Sequence, residues 1–425
     1  MKSLQQFTLT IVFMLAGLSV FAQKRQLDNF RYPDQRGVGV FEAPKDTIST
    51  FDGVKVRVGG SSTLQFQALD HENAGDVELK EIGSNFNLAT ANLDLDVALA
   101  KGVRMHLRTY LSSRHHPEPY VKGGYFQIDN LDFISEGLAE NLMKYATIKI
   151  GHMENNYGDA HFRRSDNAQA MFNPFVGNLI MDSFTTEVGA EVYYQTPGGF
   201  LAMLGMSNGK LNQSVAENSN TGKTGGAALL AKVGFDKQFN DDFRFRLTGS
   251  LYNTGYVHSN YLYTADRAGS RYYFVMEDPD AGASSPFRSG RFAPDMRNAI
   301  TAIMFNPFLK YGGLEFFGTL ELVNGKDRGD DDRRNATQIA GELLYRFGAT
   351  ENFYLGTRIN SVSSELRNGD DVDITRWNLG GGWFMTKNIL AKLEYVRQTY
   401  DGYSTGSILR DGKFDGFMVE AVISF

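Results

Sequence analysis

The stretch Phe417–Phe425, FMVEAVISF, decides the fold. Phe417, Val419, Ala421, Ile423 and Phe425 fall on one face of an extended strand, and Met418, Glu420, Val422 and Ser424 fall on the other. An apolar face running the whole length of a strand that ends on Phe is the pattern of a transmembrane β-barrel's closing strand. One face meets lipid, the other meets the lumen, and closure onto the first strand leaves no backbone edge in hydrocarbon. The expected fold class is therefore all-β, a transmembrane antiparallel β-barrel.

The same alternation recurs upstream. Val54, Val56 and Val58 alternate with Lys55 and Arg57, and Leu93, Leu95 and Val97 with Asp94 and Asp96. Val103, Met105 and Leu107 alternate with Arg104, His106 and Arg108. Val188, Ala190 and Val192 alternate with Glu187 and Glu191; Phe243, Phe245 and Leu247 alternate with Arg244 and Arg246. Counting such segments gives about 16 to 18 strands. Gly198-Gly199, Asn240-Asp241 and Gly312-Gly313 suit short turns at one end of the barrel. Asn208–Thr224, His258–Asp295 and Gly325–Asn335 read as long extracellular loops, and Ser135–Tyr145 has helical spacing.

Composition agrees with this class. The chain has 425 residues, 45 of them Gly, 20 Tyr and 32 Phe, a profile that suits twisted strands with aromatic girdles. Ile11–Ala22 (IVFMLAGLSVFA) after Lys2 has the layout of a secretory signal, residues 1–22, cleaved near Ala22. Residues 23–50, with Pro33 and Pro44, read as a periplasmic amino-terminal segment, partly lumenal or disordered, and residues 51–425 as the barrel. No apolar run after Ala22 approaches the ~20 residues a spanning helix needs. The absence of Cys excludes disulfides and thiolate metal sites. A net charge of −6, or −7 once Lys2 is removed, argues against a nucleic-acid partner.

The most chemically loaded stretch is Ile148–Phe184, IKIGHMENNYGDAHFRRSDNAQAMFNPFVGNLIMDSF. It starts as a strand, loses alternation, and is too long for an ordinary connection before Glu187 resumes the pattern. Tyr157–Asp182 is the expected inward-folded constriction loop, carrying His161, Arg163, Arg164 and Asp166 into the lumen. Adjacent arginines in a confined passage concentrate anions. Equally, Arg163 and Arg164 would pin the loop by pairing with Asp159, Asp166 or acidic wall residues. The expected lumen charges are Lys55, Arg57, Asp94, Asp96, Arg104, His106, Arg108, Lys149, Glu187, Glu191, Arg244 and Arg246, joined by Glu315, Glu321, Glu342, Glu394 and Glu420. Rows of opposite sign either set up a field across a pore or fill a narrow barrel with ion pairs.

Other chemistry fares less well. His152, Glu154, Asp159 and His161 have metal-ligand types, but polar residues two apart are what any lumen face offers. His115-His116-Pro117-Glu118 reads as a loop tip. No GxSxG-type nucleophile elbow stands out among many Ser and seven His, so no enzyme activity, cofactor or metal is expected. MFNPF occurs at Met171–Phe175 and Met304–Phe308, for which chance or a shared turn geometry serves as well as duplication.

Four stretches carry a family resemblance: GGYFQIDNLDF (Gly123–Phe133), IKIGHMENNYGDAHFRRSDN (Ile148–Asn167), NPFVGNLIMDSFTTEVGAEVYYQ (Asn173–Gln195) and NPFLKYGGLEFFGTLELVNGK (Asn306–Lys326). In their order the mature chain resembles the phosphate-selective porin O and P type barrels of Bacteroidota outer membranes. The resemblance implies a sixteen-stranded, trimeric porin in outer-membrane lipid that passes small anionic or polar solutes, phosphate-like anions among them. Arg163, Arg164 and Lys149 would fill the basic role of that family, although no Arg ladder or Lys cluster is evident and the chain is acidic. The function expected is passive diffusion through a water-filled barrel. The alternatives are an adhesin or binding barrel with a plugged lumen, and an accessory barrel of a larger secretion or uptake complex.

Overall fold

The computed structural model describes residues 31–47, 49–112, 115–165, 169–210, 217, 222, 224–264, 273–282 and 289–425. The secretory signal with its junction at Ala22, and Asp166, lie outside the described residues. Sixteen antiparallel strands form one closed barrel, each bonded to its sequence neighbours and β1 to β16.

The first eight are β1 (Lys55–Glu72), β2 (Asn85–Ala100), β3 (Val103–Ser112), β4 (His115–Ile128), β5 (Ala146–Glu154), β6 (Thr186–Gln195), β7 (Phe200–Ser207) and β8 (Ala228–Gln238). The remainder are β9 (Phe243–Thr254), β10 (Ala299–Tyr311), β11 (Leu314–Lys326), β12 (Arg334–Phe347), β13 (Phe353–Glu365), β14 (Asp371–Thr386), β15 (Ile389–Asp401) and β16 (Lys413–Ser424). Closure is complete to the last residue. Gly60 N–H donates to the Phe425 carbonyl at 3.0 Å, and Phe425 N–H returns a bond of 3.0 Å to Gly60. Glycine suits this seam, because a Cβ at position 60 would stand 3.0 Å from the Asn92 carbonyl and 3.3 Å from the Phe425 ring.

Side-chain alternation sorts the residues as the pleat requires. On β16, Phe417, Val419 and Ile423 are exposed on the outer face, whereas Met418, Glu420, Val422 and Ser424 are buried on the inner one. Leu93, Phe126, Val192, Leu204, Val233, Ile339 and Leu379 continue the apolar outer surface. At the short-turn end the rings of Tyr345, Phe347, Phe353 and Trp383 stack in series, with centroids 6.2, 5.6 and 5.8 Å apart. Such a row is an aromatic girdle.

Gly198-Gly199, Asn240-Asp241 and Gly312-Gly313 all turn at this end, while the three expected long loops all emerge at the other. Ser135–Tyr145 contains one short helix, α1 (Glu140–Met143). His115–Glu118, expected as a loop tip, instead opens β4. The two MFNPF copies share no turn: the first lies in the loop between β5 and β6, the second within β10.

The core lies inside the barrel. Residues 31–47, the loop 155–185 between β5 and β6, and the loop 255–298 between β9 and β10 all supply buried side chains to the lumen. Tyr157, Val176, Ile180 and Met181 pack with Leu262, Tyr263, Tyr273, Val275 and Phe292 and with inner-face Tyr252, Met304, Val396 and Met418. The two loops also bond to each other, Phe184 N–H to the Leu262 carbonyl at 2.9 Å and Phe292 N–H to the Ile180 carbonyl at 2.8 Å. Their backbone would otherwise bring unmet polar groups into a dry interior. Wall side chains meet this need: Asn360 Oδ1 accepts from Ile180 N–H, Gln338 Oε1 from Met181 N–H, Asn306 Oδ1 from Asp159 N–H and Glu394 Oε2 from Val176 N–H.

Candidate functional site

Three layers of charge meet in the short-turn half of the lumen: the amino-terminal segment, the loop after β5, and the wall. Arg246 on β9 sends Nε to Asp159 Oδ2 at 2.7 Å and Nη2 to Glu42 Oε2 at 2.6 Å. Lys232 on β8 reaches Glu42 and Asp159, each at 3.0 Å. Thr248 Oγ1 adds a third donor to Asp159 at 2.8 Å. Burial alone would raise the Asp159 and Glu42 carboxyls, but Arg246 and Lys232 more than offset it and hold both below the usual carboxylate range. One cluster thus ties segment, loop and wall together.

The expected constriction residues divide between two surroundings. Arg163 is 3% exposed and pairs with Glu315 at 2.8 Å and Glu342 at 3.0 Å. Burial opposes its charge, and the two glutamates outweigh that, raising its pKa. Arg164 pairs with Asp182 at 2.7 Å beneath the Phe184 ring. Both arginines therefore face carboxylates that bind the loop to the wall and to itself. His161 instead borders a cavity, with Nδ1 against Glu154 and Nε2 3.0 Å from Asn156 Oδ1.

The wall charges are mostly cross-strand pairs. Asp94 faces Arg108 and Asp96 faces both Arg57 and His106 in the ladder register. Their side chains meet, Arg108 with Asp94 at 2.8 Å, Arg57 with Asp96 at 2.8 Å and His106 Nδ1 with Asp96 at 2.8 Å. Arg104 reaches Asp46 of the amino-terminal segment. Arg244 pairs with Asp236 at 2.7 Å. Glu187 accepts from Ser207 and from Tyr252 Oη, and Glu191 accepts from Asn156 N–H at 3.0 Å and from Tyr193 Oη. Lys55, with its side chain 57% exposed, pairs with Asp52 at the rim, so its charge sits at the mouth. His152 meets Thr186 Oγ1 at 2.9 Å while Glu154 meets His161, so the two do not converge on a common point.

Lys149 differs from these. Its Nζ lies 4.9 Å from the Tyr193 ring centroid and 5.6 Å from that of Tyr125, within cation–π range of both. A partly open cavity of about 180 Å³ stands beside it, between the β3–β6 wall on one side and the loop and amino-terminal segment on the other. Arg31, His106, Arg108, Lys122, Lys149 and His161 border this cavity, against the carboxylates Glu42 and Glu154. Arg31 and Lys122 were not singled out from sequence, nor were the buried wall cations Lys232, Arg358, Arg376 and Lys392. For Arg376 and Arg358 the signal was present, a cation alternating with outward Trp377 and Leu379 or Ile359.

No protein-family model matches this sequence, and no curated protein matches it. Solved structures do. The anion-selective porin from Comamonas acidovorans superposes with a TM-score of 0.53 at 10% identity, over 88% of this chain and 100% of that one. The outer membrane channel DcaP of Acinetobacter baumannii gives 0.51 at 11% identity, over 89% and 99%. The outer membrane protein OmpT of Vibrio cholerae, in its trimer form, gives 0.50 at 12% identity, over 88% and 100%. At such identities the shared property is the barrel fold; membership of the phosphate-selective O and P family does not follow.

Proposed function

We propose that this chain is an outer-membrane channel for passive diffusion of small polar or anionic solutes, inserted in lipid and assembled as a homotrimer. The observation that carries this reading is the cation-rich cavity held between wall and inward loop inside a closed barrel whose outer face is apolar. The solved outer-membrane barrels, one described as anion-selective and one as a trimer, support it by fold. Solutes pass beside the loop, along Lys149, His161, His106 and Arg108. Arg163 and Arg164 act by fixing the loop, and their charges are spent on Glu315, Glu342 and Asp182. A phosphate-like cargo gains little from these two arginines.

The packing of both long loops into the lumen favours a narrow, selective path over a wide general pore. It also supports a second reading, a plugged barrel acting as an adhesin or as an accessory barrel of a larger complex. Single-channel recording of refolded protein in planar bilayers under a salt gradient separates the two. Stable open steps with an anion-biased reversal potential are expected. Silence from folded barrels would transfer the assignment to the plugged alternative.

A further inference from the structure

We propose that the cavity beside Lys149 is a binding subsite for a small organic monocarboxylate with a flat apolar body, of about the size of benzoate. The inference rests on the channel reading and names its cargo.

Lys149 is held by rings where its neighbours Arg108 and His106 are held by carboxylates. Arg108 commits Nε and Nη2 to the two oxygens of Asp94, each at 2.8 Å, and His106 meets Asp96. Among the described residues Lys149 makes no ion pair; the faces of Tyr125 and Tyr193 hold its ammonium instead. Aromatic faces attract the cation but take up none of its N–H donors in ordinary hydrogen bonds. Those donors remain for a carboxylate, in a place where water is restricted and a charge-assisted bond is strong.

The surroundings choose among anions. A phosphate carries up to two charges and is best met by several convergent donors or a bidentate guanidinium. Here the Lys149 ammonium stands among rings, and Phe41, Phe162, Phe172 and Met153 line the cavity together with the carboxylates Glu42 and Glu154 and the other cations named above. The rings suit a hydrocarbon or aromatic body, and the carboxylates Glu42 and Glu154 disfavour the second charge of a phosphate dianion over a single carboxylate. Size agrees: the cavity of about 180 Å³ is slightly larger than the roughly 150 Å³ cavity known to take up benzene. The extra room accommodates a carboxylate.

The test is block of the chloride current in planar bilayers by benzoate and by inorganic phosphate, on the full chain and two variants. Benzoate should reduce the current saturably and at lower concentration than phosphate. Lys149→Gln should raise its half-blocking concentration by about tenfold or more, one factor of ten being about 1.4 kcal/mol. Tyr125→Leu, which keeps the charge and removes an aromatic wall, should weaken block by benzoate more than block by phosphate. Phosphate blocking more tightly than benzoate, or unchanged benzoate block in folded Lys149→Gln, would overturn the subsite. Should the wild-type barrel carry no current, the channel reading fails by itself. Calorimetric titration of benzoate into the detergent-solubilised protein then decides the subsite: binding that Lys149→Gln abolishes supports it, and no binding overturns it.

Discussion

Arg246 grips Asp159 through two parallel bonds, Nε to Oδ2 at 2.7 Å and Nη2 to Oδ1 at 2.8 Å, with side chains only 2% and 0% exposed. A guanidinium on β9 thereby fixes the first turn of the loop that leaves β5, bridging the lumen between strands that share no ladder. Breaking one partner of such a buried pair costs about 3–5 kcal/mol, because the survivor remains buried and uncompensated. Asp159→Asn and Arg246→Ala should each lower the unfolding midpoint in detergent, and the double variant should lose less than their sum. A coupling above about 1 kcal/mol in that cycle is the expected outcome. Additive losses would remove Asp159 from its role as the anchor.

Charge reversal at Arg163 should act on the loop before it acts on selectivity. A glutamate in its place would bring a third carboxylate against Glu315 and Glu342, which now share the Arg163 guanidinium at 2.8 and 3.0 Å. Like charges this close in a dry site repel strongly. Arg163→Glu is expected to lower stability and raise conductance together as the loop detaches. A clean reversal of ion selectivity at unchanged conductance and stability would place Arg163 in the passage instead.

The loop anchor should be insensitive to pH until strongly acid conditions. Asp159 and Glu42 are held below their ordinary values, so they bind protons more weakly folded than unfolded. Their contribution is therefore present above the unfolded values, about 3.9 and 4.3, and is lost as pH falls through the lower folded values. Thermal midpoints in detergent should be level from about pH 8 to 5 with respect to this cluster and should fall below about pH 4. Asp159→Asn combined with Glu42→Gln should flatten that acid limb. An acid limb of unchanged depth would assign it to other carboxylates.

Alternation made the barrel legible, and the reason is mechanical: a pleated strand between lipid and lumen must present one apolar face, as β16 does from Phe417 to Ile423. The same rule conceals the packed lumen. Tyr252, Met304, Val396 and Met418 are apolar on the inner face because two loops fold against them, and a single sequence offers no means of seeing which loops do so. Charge type placed Asp94, Asp96, His106 and Arg108 on the inner face, but pairing depends on register. Only the offset that sets Asp94 opposite Arg108 converts two charged rows into neutral pairs. Lys149 stands apart for the same reason, since its cross-strand neighbours at Tyr125 and Tyr193 belong to diagonals that no local pattern encodes.

The amino-terminal segment should behave as a strap across the short-turn mouth. Gln35 N–H donates to the Lys387 carbonyl at 2.8 Å and its side chain to the Thr350 carbonyl at 3.0 Å, on one side of the barrel. Lys45 reaches Asp129 at 3.1 Å and Asp46 meets Arg104 on the other side. Between these ends Phe41 is 2% exposed, edge-on to Phe308 at 5.2 Å and to Phe162 at 5.9 Å, with Arg246 over its face at 4.3 Å. Emptying this socket with Phe41→Ala removes the apolar anchor, and a buried Phe truncation costs about 3–5 kcal/mol. With that anchor gone only the end contacts and the Glu42 pairs hold the segment, so the strap should lift more often while the strand ladder stays intact. Limited trypsin digestion should then cut after Arg36 or Lys45, and single-channel conductance should rise as the mouth clears. Cleavage without a rise in conductance would show that the strap lies beside the route that ions take.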